Sequence, residues 1–218
     1  MAGFDPAHVA QGGPPHRYPD GPLEVRKVHV GPFENNAYLL RDPASGEALL
    51  VDAANEAERL LELLGDARLV GVVTTHRHAD HLQALPGVVA ACGCWNGAHP
   101  ADADAIAAQV GVAPDRLLQH GDVLRVGRQP VTVLHTPGHT AGSVCFQLPG
   151  SQVLTGDALF PGGVGKTDGP AAFRQAIASA QRELLSLPGA TRISPGHGDD
   201  TLVERELPQL DAWRARGW

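Results

Sequence analysis

The stretch VVTTHRHADHLQAL, residues 72–85, decides how this chain is read. It opens apolar and β-branched, the pattern of a buried strand. It then places His76, His78, Asp80 and His81 within a single turn. Imidazole suits zinc, iron, nickel and copper, and a carboxylate adds a hard ligand. Chain geometry limits how many of four such close neighbours can reach one ion. Two adjacent metals, each taking two donors from this loop, would use all four.

A two-metal reading requires further donors elsewhere, also at strand ends. LHTPGHTAG (134–142) follows a strand pattern and offers His139 on a Pro-Gly turn. LTGDALF (154–160) offers Asp157, and ISPGHGDD (193–200) offers His197. Each donor sits just past a β-rich run and beside glycine, which lets the backbone turn sharply and approach a ligand closely. Four such junctions in one chain are far less expected by chance than any one of them. His8, His16, His29, His99, His120 and His135 lack this context.

Around these junctions the pattern alternates between hairpins and helices. Strands are expected over 23–30, 37–42, 47–53 and 68–75, with a helix over 56–65 that Gly65 ends. Residues 82–92 read as helical with a break at Pro86, and 99–111 as a helix whose early acidic residues suit the helix dipole. Hairpins follow over 121–136 and 143–157, then a helix over 170–187 and a last strand over 190–194. The segment 200–217 reads as a terminal helix bent at Pro208. Strand and helix do not alternate strictly, which excludes a doubly wound sheet and favours two antiparallel-rich sheets with helices outside.

Composition bounds the role. The chain has 218 residues, with 43% hydrophobic and 19% charged, enough for one self-sufficient core. The formal net charge of −7 argues against bulk electrostatic binding of nucleic acid. No apolar run approaches the roughly 18–20 residues of a membrane span, and residues 1–22 lack a signal-peptide core. Those 22 residues contain nine Gly or Pro and read as a flexible arm before a single domain over 23–218. Cys92, Cys94 and Cys145 are too few for a disulfide framework, and that scarcity suits a reducing cytoplasm. Cys92 and Cys94 read as small apolar residues at a helix–strand junction.

THRHADH, TPGHTAGS, TGDALF and SPGHG, in this order, resemble the metallo-β-lactamase superfamily, from about residue 24 to about 205. The resemblance implies an α/β fold, a four-layer αββα sandwich of two mixed sheets with helices on the outer faces. By motif it gives His76, His78 and His139 to a first metal. Asp80, His81 and His197 go to a second, and Asp157 bridges the two. It implies two divalent ions, zinc foremost, with iron or manganese also accepted by such donors. The chemistry implied is hydrolysis by a metal-bridging hydroxide, with Asp80 orienting it. A bridging Asp157 differs from the true lactamases and argues against antibiotics as native substrates.

GDALFPGGVGKTDG (156–169) is most similar to the glyoxalase II (hydroxyacylglutathione hydrolase) and persulfide dioxygenase branches. Lys166 matches the basic residue with which glyoxalase II holds glutathione. The sequence departs from glyoxalase II at Ser143, where histidine is usual, and at Asp199, where a thiol-contacting tyrosine is usual. Only one helical segment follows His197, in place of a C-terminal helical domain. The expectation is a thioester hydrolase acting on a small thiol conjugate whose carrier need not be glutathione. A mononuclear iron persulfide dioxygenase is the alternative, with a lactonase or other hydrolase of this fold further off. Oligomeric state is not encoded in any of these motifs.

Overall fold

The computed structural model describes residues 4–217. Residues 1–3 of the expected arm, and residue 218 at the end of the expected domain, lie outside the described residues. The first sheet runs in chain order as β1 (His16–Asp20), β2 (Leu23–Val30), β3 (Asn35–Arg41), β4 (Glu47–Val51), β5 (Arg68–Val73), β6 (Trp95–Ala98) and β7 (Arg116–Leu117). β1 to β4 are antiparallel, whereas β4 to β7 are parallel. Parallel neighbours need crossovers. These are α1 (Ala57–Leu64), α2 (Leu85–Cys92) and α3 (Pro100–Val110).

The chain crosses to the second sheet once, between Leu117 and Val123. There follow β8 (Val123–Val126), β9 (Gln129–His135), β10 (Val144–Gln147), β11 (Gln152–Gly156), β12 (Arg192–Pro195) and β13 (Thr201–Leu202), ordered β13-β12-β11-β10-β9-β8. β11 and β12 are parallel, joined through α4 (Pro170–Glu183). The chain then forms α5 (Val203–Glu206) and α6 (Leu210–Arg216).

Side-chain alternation makes four layers. Val25, Leu40, Leu49 and Val73 face Val131, Val133, Phe146 and Leu154 between the sheets. The opposite face of the first sheet, with Val28, Leu39, Leu50 and Val72, takes Leu60, Leu85 and Ile106 from the helices. Val153, Cys145 and Ile193 of the second sheet pack on Ile177, Leu184 and Trp213. The αββα sandwich expected from the motifs is the fold observed. Arg26 of β2 ties a helix to the first sheet, donating to the carbonyls of Leu63 and Leu64 at 2.8 and 3.0 Å, where α1 leaves acceptors free.

Several local expectations need correction. Much of the loose arm expected over 1–22 is packed: β1 pairs along β2, Ala7 and Val9 are buried, and the Asp200 N–H donates to Pro6 O. Its Gly and Pro punctuate turns around an edge strand, where Pro19 is tolerated. Pro86 does not break a helix but sits in the first turn of α2, where its missing N–H costs nothing. At Pro208 the chain forms a 3-10 turn, Leu207–Gln209, between two short helices rather than one bent helix. The strand over 190–194 is not the last, since β13 follows. Cys92 ends α2 and Cys94 precedes β6, as expected of a helix–strand junction.

Candidate metal centre

The carboxyl ends of β4, β5 and β11 meet at one edge of the sandwich with the loops after β9 and β12. β5 ends at Val73, and Thr74 stays in register by donating to Gly97 O at 2.9 Å. Thr75 O accepts from Val144 N across the sheets, also at 2.9 Å. The backbone is thus pinned to both sheets immediately before His76.

His76, His78 and His139 form one donor group. His76 Nε2 lies 3.1 Å from His78 Nδ1 and 3.2 Å from His139 Nε2. Their rings stand at 73° to 90° to one another, so the lone pairs converge instead of the faces stacking. Asp80, His81 and His197 form a second group. His81 Nε2 is 3.3 Å from His197 Nε2, and Asp80 Oδ2 is 3.6 and 3.4 Å from the same two nitrogens. Asp157 stands between the groups. Its Oδ2 is 3.4 Å from His139 Nε2 and 4.0 Å from His76 Nε2, and its Oδ1 is 3.4 Å from His81 Nε2 and 3.8 Å from His197 Nε2.

The far nitrogens of four rings are committed elsewhere. His81 Nδ1 meets Asp52 Oδ2 at 2.9 Å, His139 Nδ1 meets Lys166 O at 2.6 Å, and His197 Nδ1 meets Phe33 O at 2.8 Å. His76 Nδ1 meets Thr75 Oγ1 at 2.9 Å, while that hydroxyl donates to Asp52 Oδ2 at 2.8 Å. Each acceptor takes an Nδ1–H, so that Nε2 would turn its lone pair to an ion at the centre once any proton there is displaced. Of the threonines beside the motifs, Thr75 touches a candidate ligand ring; the Thr136 and Thr140 hydroxyls bond elsewhere.

Two bracing residues were not evident in the sequence. Asp52 follows β4 with φ +59° and accepts from Thr75 N and Thr75 Oγ1 as well as His81. Asn35, at the start of β3, donates from Nδ2 to Asp80 Oδ2 at 2.9 Å. Neither belongs to a recognisable motif, and the only signals were an acidic residue just past one apolar strand and an amide at the start of another. The His197 loop is also held from the first sheet. Tyr38 and Asn36 donate to Pro195 O, and Lys27 Nζ donates to Gly198 O at 2.7 Å and Asp200 Oδ1 at 2.9 Å.

The electrostatics suit cations. Burial and the surrounding imidazoles push His76 well below its ordinary value, so its ring is neutral and able to coordinate. Burial works against a charge on His81 too, but Asp52 and Asp157 outweigh it and raise His81 to about 10. The hydrogen bond from His197, followed by that from Asn35, drives Asp80 well below the usual carboxylate range. Asp157 Oδ1 is buried and accepts no hydrogen bond among the described residues. Donors around a tetrahedral ion with bonds of 2.0–2.1 Å stand about 3.3 Å apart. The nitrogens here have that spacing, and the donor chemistry fits two divalent ions. Lys166 is exposed, and only its carbonyl touches the cluster.

An αββα sandwich with imidazole and carboxylate donors gathered at the strand ends of both sheets defines a class of folds built around a metal-binding edge. The chain belongs to the metallo-beta-lactamase superfamily, which matches residues 30–197. It is 38% identical over 167 residues to the hydroxyacylglutathione hydrolase of Fuscovulum blasticum, covering 75% of this chain and 62% of that protein. Among solved structures it resembles TTHA1623 in a di-iron-bound form, with 37% identity and a TM-score of 0.71 over 83% of this chain and 96% of that one. It also resembles ETHE1 from Myxococcus xanthus, with 30% identity and a TM-score of 0.74 over 84% and 80% of the two chains. Members of this fold bind metal ions, and enzymatic metallohydrolase chemistry is the rule among them. No helix among the described residues is long and apolar enough to cross a membrane.

Proposed function

We propose that this chain is a dinuclear metallohydrolase acting on a thioester of a small thiol. The observation that carries the proposal is Asp157, which turns one oxygen toward each donor group. In this reading His76, His78 and His139 would hold one ion, Asp80, His81 and His197 would hold the other, and Asp157 would serve both. Zinc is the first candidate. Iron has the support of the di-iron form of TTHA1623. Ions bound here would supply Lewis acidity toward a substrate carbonyl and toward a water.

The protein's own groups do the rest. Asp80, held ionised and fixed by Asn35, orients the attacking water. His78 is exposed and lies on the open side, where a substrate enters. The thioester assignment is supported by the likeness to a hydroxyacylglutathione hydrolase. The Lys166 side chain would meet an anionic group on the thiol carrier. A cytoplasmic, small-molecule role is in keeping with the cysteine usage and the net charge of −7.

The test is metal quantification on protein purified without added metal, together with thioester, persulfide and lactone substrates. Two ions per chain and turnover of a thioester are expected. One iron per chain with oxygen uptake on a persulfide would replace the hydrolase with a dioxygenase.

A further inference from the structure

Asp102 lies in the first turn of α3, and its acidic character there suits the helix dipole. The structure gives it a second task. Its carboxylate is 1% exposed and accepts four hydrogen bonds, two on each oxygen. Oδ1 takes Arg77 Nη1 at 3.1 Å and Gly142 N at 3.0 Å. Oδ2 takes Arg77 N at 3.0 Å and Thr140 Oγ1 at 2.6 Å. These donors come from two separate loops. Arg77 sits between His76 and His78, and Thr140 follows His139.

α3 also holds the other side of Arg77, because Gln109 Nε2 donates to Arg77 O at 2.8 Å. The Arg77 backbone is therefore gripped at both N–H and C=O by one helix. Gly142 is needed for the approach, since a Cβ there would lie 2.5 Å from Asp102 Cγ. The second donor group is braced by different residues, Asp52 on His81 and Asn35 on Asp80.

We infer that Asp102 is a positioning residue that sets the spacing between the His76–His78 pair and His139, and so the affinity of the three-histidine group for its ion. The inference rests on the metal-binding reading proposed above. An asparagine keeps one acceptor oxygen. Whichever way its amide turns, the NH2 faces a pair of donors, and at least one backbone N–H loses its acceptor. Loss of an outer partner of a ligand loop typically costs 10–100-fold in metal affinity.

The experiment is a zinc titration of metal-stripped protein against a chromophoric chelator, comparing wild type, D102N, T140V, T140S and D20N. Asp20 is the control. It too is buried and braces two turns, accepting from Gly150 N and Ser151 N, but away from the donor groups. D102N is expected to weaken one of the two ions about 10–100-fold and leave the other within about threefold. T140V should shift the same ion in the same direction by less, and T140S should restore it. D20N should leave both affinities unchanged. If D102N does not fold, the T140V and T140S pair carries the test. Wild-type affinity for both ions in D102N and T140V, or an equal loss in D20N, overturns the inference. Failure of the wild type to bind zinc overturns the metal reading instead.

Discussion

Asp52 Oδ2 lies 2.9 Å from His81 Nδ1, and the same oxygen accepts the Thr75 hydroxyl at 2.8 Å. One carboxylate at the end of β4 thus orients a ring of the second donor group directly and a ring of the first through Thr75. Asp52→Ala should lower affinity for both candidate ions by about 10–100-fold, because His81 loses its acceptor and the Thr75 hydroxyl that holds His76 loses its own. Chelator competition would measure it, and an unchanged affinity for both ions would contradict the role.

Gly196 leaves room for the centre. A Cβ at this position would lie 2.4 Å from Asp157 Oδ1 and 2.7 Å from His81 Cε1. Gly196→Ala should displace Asp157, reduce metal content and cost about 1–3 kcal/mol from overpacking. Metal analysis and a denaturant midpoint report the two effects separately.

The Lys27–Asp200 pair is entirely buried, with Nζ and Oδ1 2.9 Å apart. Lys27→Met removes one of two cations from Asp200, leaving Arg192 Nη1 3.0 Å from Oδ2, and a donor from Gly198 O. The expected loss is about 1–3 kcal/mol, the cost of buried acceptors left without one donor, because Arg192 still balances the Asp200 charge. Urea unfolding would show it as a lowered midpoint with little change in slope.

His29 of β2 is buried, and burial, with Lys27 as the next cause, holds its ring below the ordinary imidazole value. The unfolded chain therefore takes up a proton on this ring that the folded chain resists. Stability contributed by the neutral ring is present above the unfolded value of about 6.5 and declines as pH falls below it. His29→Leu should flatten the pH dependence of unfolding below pH 6.5 relative to the wild type. Parallel curves for the two proteins would count against the assignment.

The strand ends that carry His76, His139, Asp157 and His197 were legible because each places a donor just past a β-rich run, with a glycine beside the last three. What escaped the sequence was structure stabilised from outside its own segment. β6 contains Asn96-Gly97, which reads as a turn, yet it is a strand because Trp95 covers Gly71 so closely that a Cβ there would lie 2.3 Å from the indole. β1 is polar and holds a proline, and its pairing comes from the backbone of β2. Asp52, Asn35 and Asp102 act on residues 23 to 45 positions away, and no local pattern announces such reach.

The single crossing between the sheets has a consequence for assembly. His76, His78, Asp80 and His81 precede it, while His139, Asp157 and His197 follow it. Each candidate ion would therefore straddle the two halves of the chain, and neither half owns a full set of donors. A chain severed at the exposed turn 119–122 would yield two fragments that are each deficient in metal binding and competent only as a pair. The ions would then act as a fastener between the halves, and metal uptake would report their reunion.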